Sequence, residues 1–79
     1  MDNLEKYNTV FVEVFSVTKD KLDELFDNQH VEDWDSVRQL SLTTALEDAF
    51  DIMLDAEDIM GFTSYQEGKA ILSKYNILI

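Results

Sequence analysis

Leu4, Tyr7, Val10, Phe11, Val14 and Phe15 follow one another at three- and four-residue steps. At about 100° per residue, steps of that size place side chains on one side of an α-helix. The spacing therefore predicts a helix from Asn3 to about Val17, with Asp2 or Asn3 as its cap and with Val12 and Val17 away from the centre of the stripe. A second stripe, Leu42, Ala45, Leu46, Ala49, Phe50 and Met53, predicts a core-facing helix that follows the turn Trp34-Asp35-Ser36. Asp35 or Ser36 suits its start, because a short oxygen-bearing side chain accepts from the free N–H groups of a first turn. The opposite side of the same wheel carries Val37, Leu40, Ser41, Thr44, Glu47, Asp48 and Asp51. A merely solvated face would account for the acids but not for Val37 and Leu40.

Between the two helices, residues 18–35 form a long connection. Structureless connections of that length are uncommon in compact domains, so Leu22, Leu25 and Phe26 are expected to make one helical turn that pins it, with Val31 and Trp34 anchoring its far end. After the second helix a short helical turn is expected over Ala56 to Met60, capped by Asp55 and ended by Gly61. A last helix begins with Thr63 or Ser64 as cap and Gln66 or Glu67 as capping-box partner. It continues through Tyr65, Ala70, Ile71, Lys74 and Tyr75 to an apolar tail, Ile77 to Ile79. Gly68 inside that helix costs about 1 kcal/mol relative to alanine; it is either tolerated or permits a close helix contact.

The 79 residues suit one domain with a small core, spanning residues 1–79. Proline is absent and glycine occurs twice, which favours helices joined by polar turns, and 46% hydrophobic residues argue against disorder. The expected class is all-α, a bundle of three main helices plus a short helical turn. Seventeen acids against six basic residues give a net charge of -11, which repels nucleic acid and anionic membranes and favours partners with basic patches. No signal-peptide pattern or membrane-length apolar run is present, so a soluble, cytoplasmic monomer is the expectation.

Candidate chemistry is sparse. Without cysteine there is no disulfide, thiolate metal site or cysteine nucleophile. His30 has no second histidine or cysteine to complete a metal site and reads as a surface loop residue. The acids Asp51, Asp55, Glu57 and Asp58 lack the glycine and closing glutamate of a calcium loop, leaving only weak, nonspecific divalent-ion binding. Ser36 and His30 lack a positioned third group for nucleophilic catalysis, so no enzyme is expected. Ser36 does hold a distinctive place: the free N–H groups and positive dipole end of a helix N-terminus favour an attached anion such as a phosphate ester.

The run Trp34-Asp35-Ser36-Val37, with Leu46-Glu47-Asp48-Ala49-Phe50-Asp51-Ile52 beginning ten residues after the serine, resembles the acyl carrier protein family. It looks like the family's Asp-Ser-Leu site followed by Leu-Glu-Glu-x-Phe. Phe62-Thr63-Ser64-Tyr65 is similar to the turn that opens the family's final helix, and the resemblance extends from about Leu4 to Tyr75. It implies an acyl-carrier-like helical bundle with a long first loop. Ser36, preceded by Asp35, would be the attachment point for 4'-phosphopantetheine, transferred from coenzyme A by a separate phosphopantetheinyl transferase. Acyl or aminoacyl groups would then be carried as thioesters and presented to loading and transfer enzymes with basic docking surfaces. The partner-facing residues would be Val37, Arg38, Leu40, Ser41, Thr44, Glu47, Asp48 and Asp51.

Departures from the family pattern bear on subtype. Val37 stands in place of the usual leucine, Arg38 puts a positive charge where many members are neutral or acidic, and Ser41 stands where housekeeping fatty-acid carriers commonly have glutamate. Val37 is a mild change within the apolar class; Arg38 and Ser41 weaken the case for a general fatty-acid carrier, and Trp34 before Asp35 looks more like stand-alone carriers of specialised bacterial pathways. Val37 and Arg38 also motivate an alternative of another class, an unmodified acidic helical adaptor.

Overall fold

The computed structural model describes residues 2–79. Among them are four helices and no strand: α1 Asn3–Phe15, α2 Ser36–Phe50, α3 Ala56–Met60 and α4 Tyr65–Ser73. The all-α class read from the periodicity is the class observed.

Local chemistry sets most of the helix boundaries. Asp2, Asp35 and Ser64 cap α1, α2 and α4 by accepting from the N–H groups of Glu5, Arg38 and Glu67, each at 2.8 Å. Both long helices end on left-handed residues that are not glycine, Ser16 at φ 54° and Asp51 at φ 53°. In each case the following N–H turns back into the helix, Val17 to the Val12 carbonyl and Ile52 to that of Glu47.

These ends correct two expectations. α1 stops at Phe15 rather than running to about Val17, although Val17 still packs against the core. Met53, assigned to the buried stripe of α2, is 84% exposed, because the helical period ends at the Asp51 turn before reaching it. Asp55 stands at the head of α3 without the expected side-chain cap; Gly61 follows that helix at φ −85°, so its end uses no left-handed glycine.

The core is an aromatic cluster around Phe11. Its ring lies 4.9 Å from that of Tyr7, 5.2 Å from that of Tyr65 and 5.9 Å from that of Phe26, centroid to centroid. Leu42 and Leu46 of α2, Leu72 of α4 and Phe62 before α4 are fully buried beside it. Leu4, at the start of the first stripe, is exposed. Gly68 resolves as a close-contact residue, since a β-carbon there would collide with the Tyr7 hydroxyl and the Phe62 ring. Tyr7 donates to the Tyr65 carbonyl at 2.5 Å, and the Tyr65 hydroxyl in turn donates to Asn8. Burial, followed by the proximity of Tyr65, pushes the Tyr7 phenol far above its usual range.

The long connection is ordered by a turn at residues 23–26, where Phe26 N–H donates to the Asp23 carbonyl at 3.0 Å, and by pairing farther on. Leu22 and Phe26 pin it to the core as expected, but Leu25 is exposed, and a 3-10 turn over Lys19–Lys21 precedes it. Farther on, Asn28 N–H donates to the Thr63 carbonyl at 2.9 Å and Tyr65 N–H to that of Phe26 at 2.8 Å, a single antiparallel bridge. Phe26 and Trp34 are buried, and Val31 packs against the same core. The bridge sits between the turn at residues 23–26 and a second turn, in which the Asp27 carbonyl accepts from Val31 N–H at 2.9 Å. His30 lies in the exposed part of the loop, with Nδ1 2.7 Å from Asp27 Oδ1. That contact, ahead of the backbone N–H donors of His30 and Gln29, holds the Asp27 carboxyl below its usual range.

Candidate functional site

The head of α2 is built from the core outward. Trp34 is buried, its ring 4.9 Å from Phe15 and 6.0 Å from Phe11. It fixes the chain immediately before the helix. Asp35, in extended backbone at φ −102° and ψ −175°, takes the capping task with its side chain. Ser36 is therefore the first helical residue, exposed and with no capping duty of its own.

Beyond Ser36 the strip read from the sequence divides. Val37 and Leu40 are 75% and 58% exposed, an unusual placement for apolar residues one turn from a polar loop. Ser41, Thr44, Asp48 and Asp51 are exposed along the same side. Arg38 and Glu47 are not free on that surface. Arg38 Nη1 donates to the Val14 carbonyl at 2.6 Å, and Glu47 Oε2 accepts from Leu54 N–H at 2.8 Å. The accessible face thus has an apolar centre at Val37 and Leu40 and acids at Asp48 and Asp51, with the Arg38 charge directed to α1.

A cleft of about 430 Å³ opens beside Ser36, between the start of α2 and the end of α3, lined by Asn28, Ser36, Gln39, Leu40, Ile59, Met60 and Thr63. Met60 is 76% exposed and extends the apolar surface of Leu40 across the cleft. Gln39 crosses its floor: Nε2 donates to the carbonyls of Ile59 at 2.8 Å and Met60 at 3.1 Å, while Oε1 accepts from Trp34 Nε1 at 3.3 Å. Sequence reasoning missed Gln39, Asn28, Ile59, Met60 and Thr63. The usable signal was Gln39, which lies one helical turn after Ser36 and so shares its side of α2.

Among the described residues no group of three or more histidine, cysteine, aspartate or glutamate side chains is arranged to hold a metal ion, and no helix is long and apolar enough to cross a membrane. Compared with known proteins, the chain matches no family model, no curated protein and no solved structure. The functional reading therefore rests on the head of α2 and its surroundings.

Proposed function

We propose that the chain is a carrier of acyl or aminoacyl groups, with Ser36 as the attachment point for 4'-phosphopantetheine and with the four helices forming an acyl-carrier-like bundle. The observation that carries this reading is the division of labour between Asp35 and Ser36. Asp35 accepts from the first-turn N–H of Arg38, which leaves the Ser36 hydroxyl exposed and uncommitted at the positive end of a 15-residue helix.

The residues present fit the group. Ser36 Oγ would form the phosphoester with the pantetheine phosphate of coenzyme A, its proton passing to a base of the transferase and adenosine 3',5'-bisphosphate leaving. The N–H groups of Ser36 and Val37 head the helix, where its dipole favours the remaining negative charge. When bound, the group supplies a thiol for thioester formation, which this cysteine-free chain otherwise lacks. Val37 and Leu40 offer an apolar contact to partner enzymes, with Ser41 and Thr44 beside them. Asp48 and Asp51 steer basic surfaces toward it.

The carrier works as a cytoplasmic monomer and catalyses nothing itself. Trp34, Arg38 and Ser41 favour a specialised pathway over general fatty-acid synthesis. The test is intact mass before and after incubation with coenzyme A and a broadly specific phosphopantetheinyl transferase, with fragmentation to locate the addition. One phosphopantetheine on Ser36, and none on a folded Ser36→Ala variant, is the expected result. No addition across several transferases would sink the carrier reading and leave the adaptor.

A further inference from the structure

Resting on the carrier reading, we propose that Gln39 is a latch that shuts the crevice between α2 and α3 against the carried group, so that the cargo is a short acyl group with a polar substituent held outside the helices rather than a long alkyl chain inside them. An alkyl chain tethered at Ser36 would gain from burial wherever the adjoining packing opens. The nearest opening is the cleft beside Ser36, and its floor is where Gln39 spans the two helices.

Three hydrogen bonds hold the latch. The Ile59 and Met60 carbonyls lie at the end of α3, beyond the reach of its own helical N–H groups; that of Ile59 also accepts from Phe62 N–H at 3.4 Å, and Gln39 Nε2 serves both. Its Oε1 is occupied by Trp34, which is itself fixed among Phe11, Phe15 and Phe26. Moving Gln39 aside would break two part-buried bonds, to the Ile59 carbonyl and from the Trp34 indole N–H, and one exposed bond, to the Met60 carbonyl. Past the latch, Leu42, Leu46 and Phe62 are fully buried and already fill the core.

Outside the latch the chemistry changes. Asn28 and Thr63 present an amide and a hydroxyl beside the apolar Leu40, Ile59 and Met60. A hydroxyacyl or aminoacyl group of a few carbons satisfies both kinds of surface. A long alkyl chain would leave the polar groups unmatched and most of its own length in water.

The experiment loads the protein at Ser36 with acetyl-, butyryl-, 3-hydroxybutyryl- or octanoyl-phosphopantetheine from the corresponding acyl-coenzyme A. Side-chain NMR signals and Tm are then compared. In the wild type, the octanoyl and acetyl forms should share the same Leu42, Leu46 and Phe62 signals and the same Tm. The 3-hydroxybutyryl form should differ from the butyryl form at Asn28 and Thr63. In Gln39→Ala, and in the nearly isosteric Gln39→Glu, which cannot donate to both carbonyls, octanoyl should shift the core signals and raise Tm by about 4 °C over acetyl.

Core shifts with octanoyl in the wild type would overturn the proposal while leaving the carrier reading intact. Unchanged core signals in both variants would remove the latch role from Gln39, and identical Asn28 and Thr63 signals for butyryl and 3-hydroxybutyryl would exclude the polar cargo class. Failure of any arm to attach at Ser36 would instead sink the carrier reading, and the proposal with it.

Discussion

The guanidinium of Arg38, in the first turn of α2, donates to the carbonyl of Val14, near the end of α1, across 2.6 Å. α1 has no basic residue in its own last turn, so the cation facing its negative end is borrowed from the next helix. The same bond ties the head of α2, where Ser36 is displayed, to the C-terminal end of α1.

Removing this tie should be visible as lost stability. Arg38→Ala gives up a charge-assisted hydrogen bond to a helix-end carbonyl, worth about 1–2 kcal/mol at a half-buried position. Urea unfolding followed by circular dichroism should show a lower midpoint at unchanged slope. An unchanged midpoint would mean that the bond contributes nothing in solution.

Gly68→Ala separates two effects of opposite sign. Helix propensity alone predicts a gain of about 1 kcal/mol for alanine. The β-carbon, however, would collide with the Tyr7 hydroxyl and Phe62 ring, both inside the core. Overpacking of this kind costs about 1–3 kcal/mol or more, and here it also disturbs the Tyr7 bond to the Tyr65 carbonyl. A net loss of stability is expected from thermal unfolding; a gain would show that α4 can shift away from α1 without cost.

Asp58 joins α3 to the end of α4, accepting from Lys74 Nζ at 2.6 Å and from the Tyr75 hydroxyl at 2.5 Å. The Lys74 bond, then that of Tyr75, holds the Asp58 carboxyl below its ordinary value of 3.8. Its contribution to stability is therefore complete above the ordinary aspartate range and is lost as pH falls through the depressed folded value. Lys74 is raised by the same partner, so its share is complete below the ordinary lysine range and is lost as pH rises through the raised folded value. The stability difference between wild type and Asp58→Asn should be flat near neutral pH and shrink in acid below about pH 4. A difference that persists undiminished in strong acid would show that the ion pair is not its source.

The two long helices were legible because their signals are local: stripes of apolar residues at helical spacing and capping residues at Asp2, Asp35 and Ser64. Asp51 was not legible as a helix end, since a left-handed aspartate carries no signal comparable to glycine, and Met53 was consequently assigned to the core. Leu25 is exposed because the turn at residues 23–26 leaves Leu22 and Phe26, and not Leu25, against the core, and the loop beyond it pairs with residues near 64, distant in sequence. Thr43 is fully buried through hydrogen bonds to the Gln39 and Leu40 carbonyls of its own helix, which an apolar stripe does not reveal. At the candidate site, Ser36 and the exposed Val37 and Leu40 were readable. The inward turns of Arg38 and Glu47, and the reach of Gln39 to α3, depend on backbone groups of other segments, which side-chain periodicity does not report.

Glu47 and Asp48 are adjacent acids that the structure gives different tasks, and charge reversal should separate them. Glu47 accepts from Leu54 N–H, closing the turn after α2, so Glu47→Lys loses a structural bond and should cost about 1–2 kcal/mol. Asp48 is exposed, and in a chain of net charge -11 its reversal relieves repulsion, so Asp48→Lys should change stability by no more than about 0.5 kcal/mol. If Asp48 steers basic partners, the same variant should be modified more slowly by the transferase at low salt. That deficit should narrow as ionic strength rises and the Debye length falls toward about 3 Å at 1 M. The measurement is transferase kcat/KM against sodium chloride concentration for wild type and Asp48→Lys, alongside urea midpoints for both variants. Superimposable rate curves would move transferase docking away from Asp48, whereas a deficit independent of salt would point to a short-range contact rather than steering.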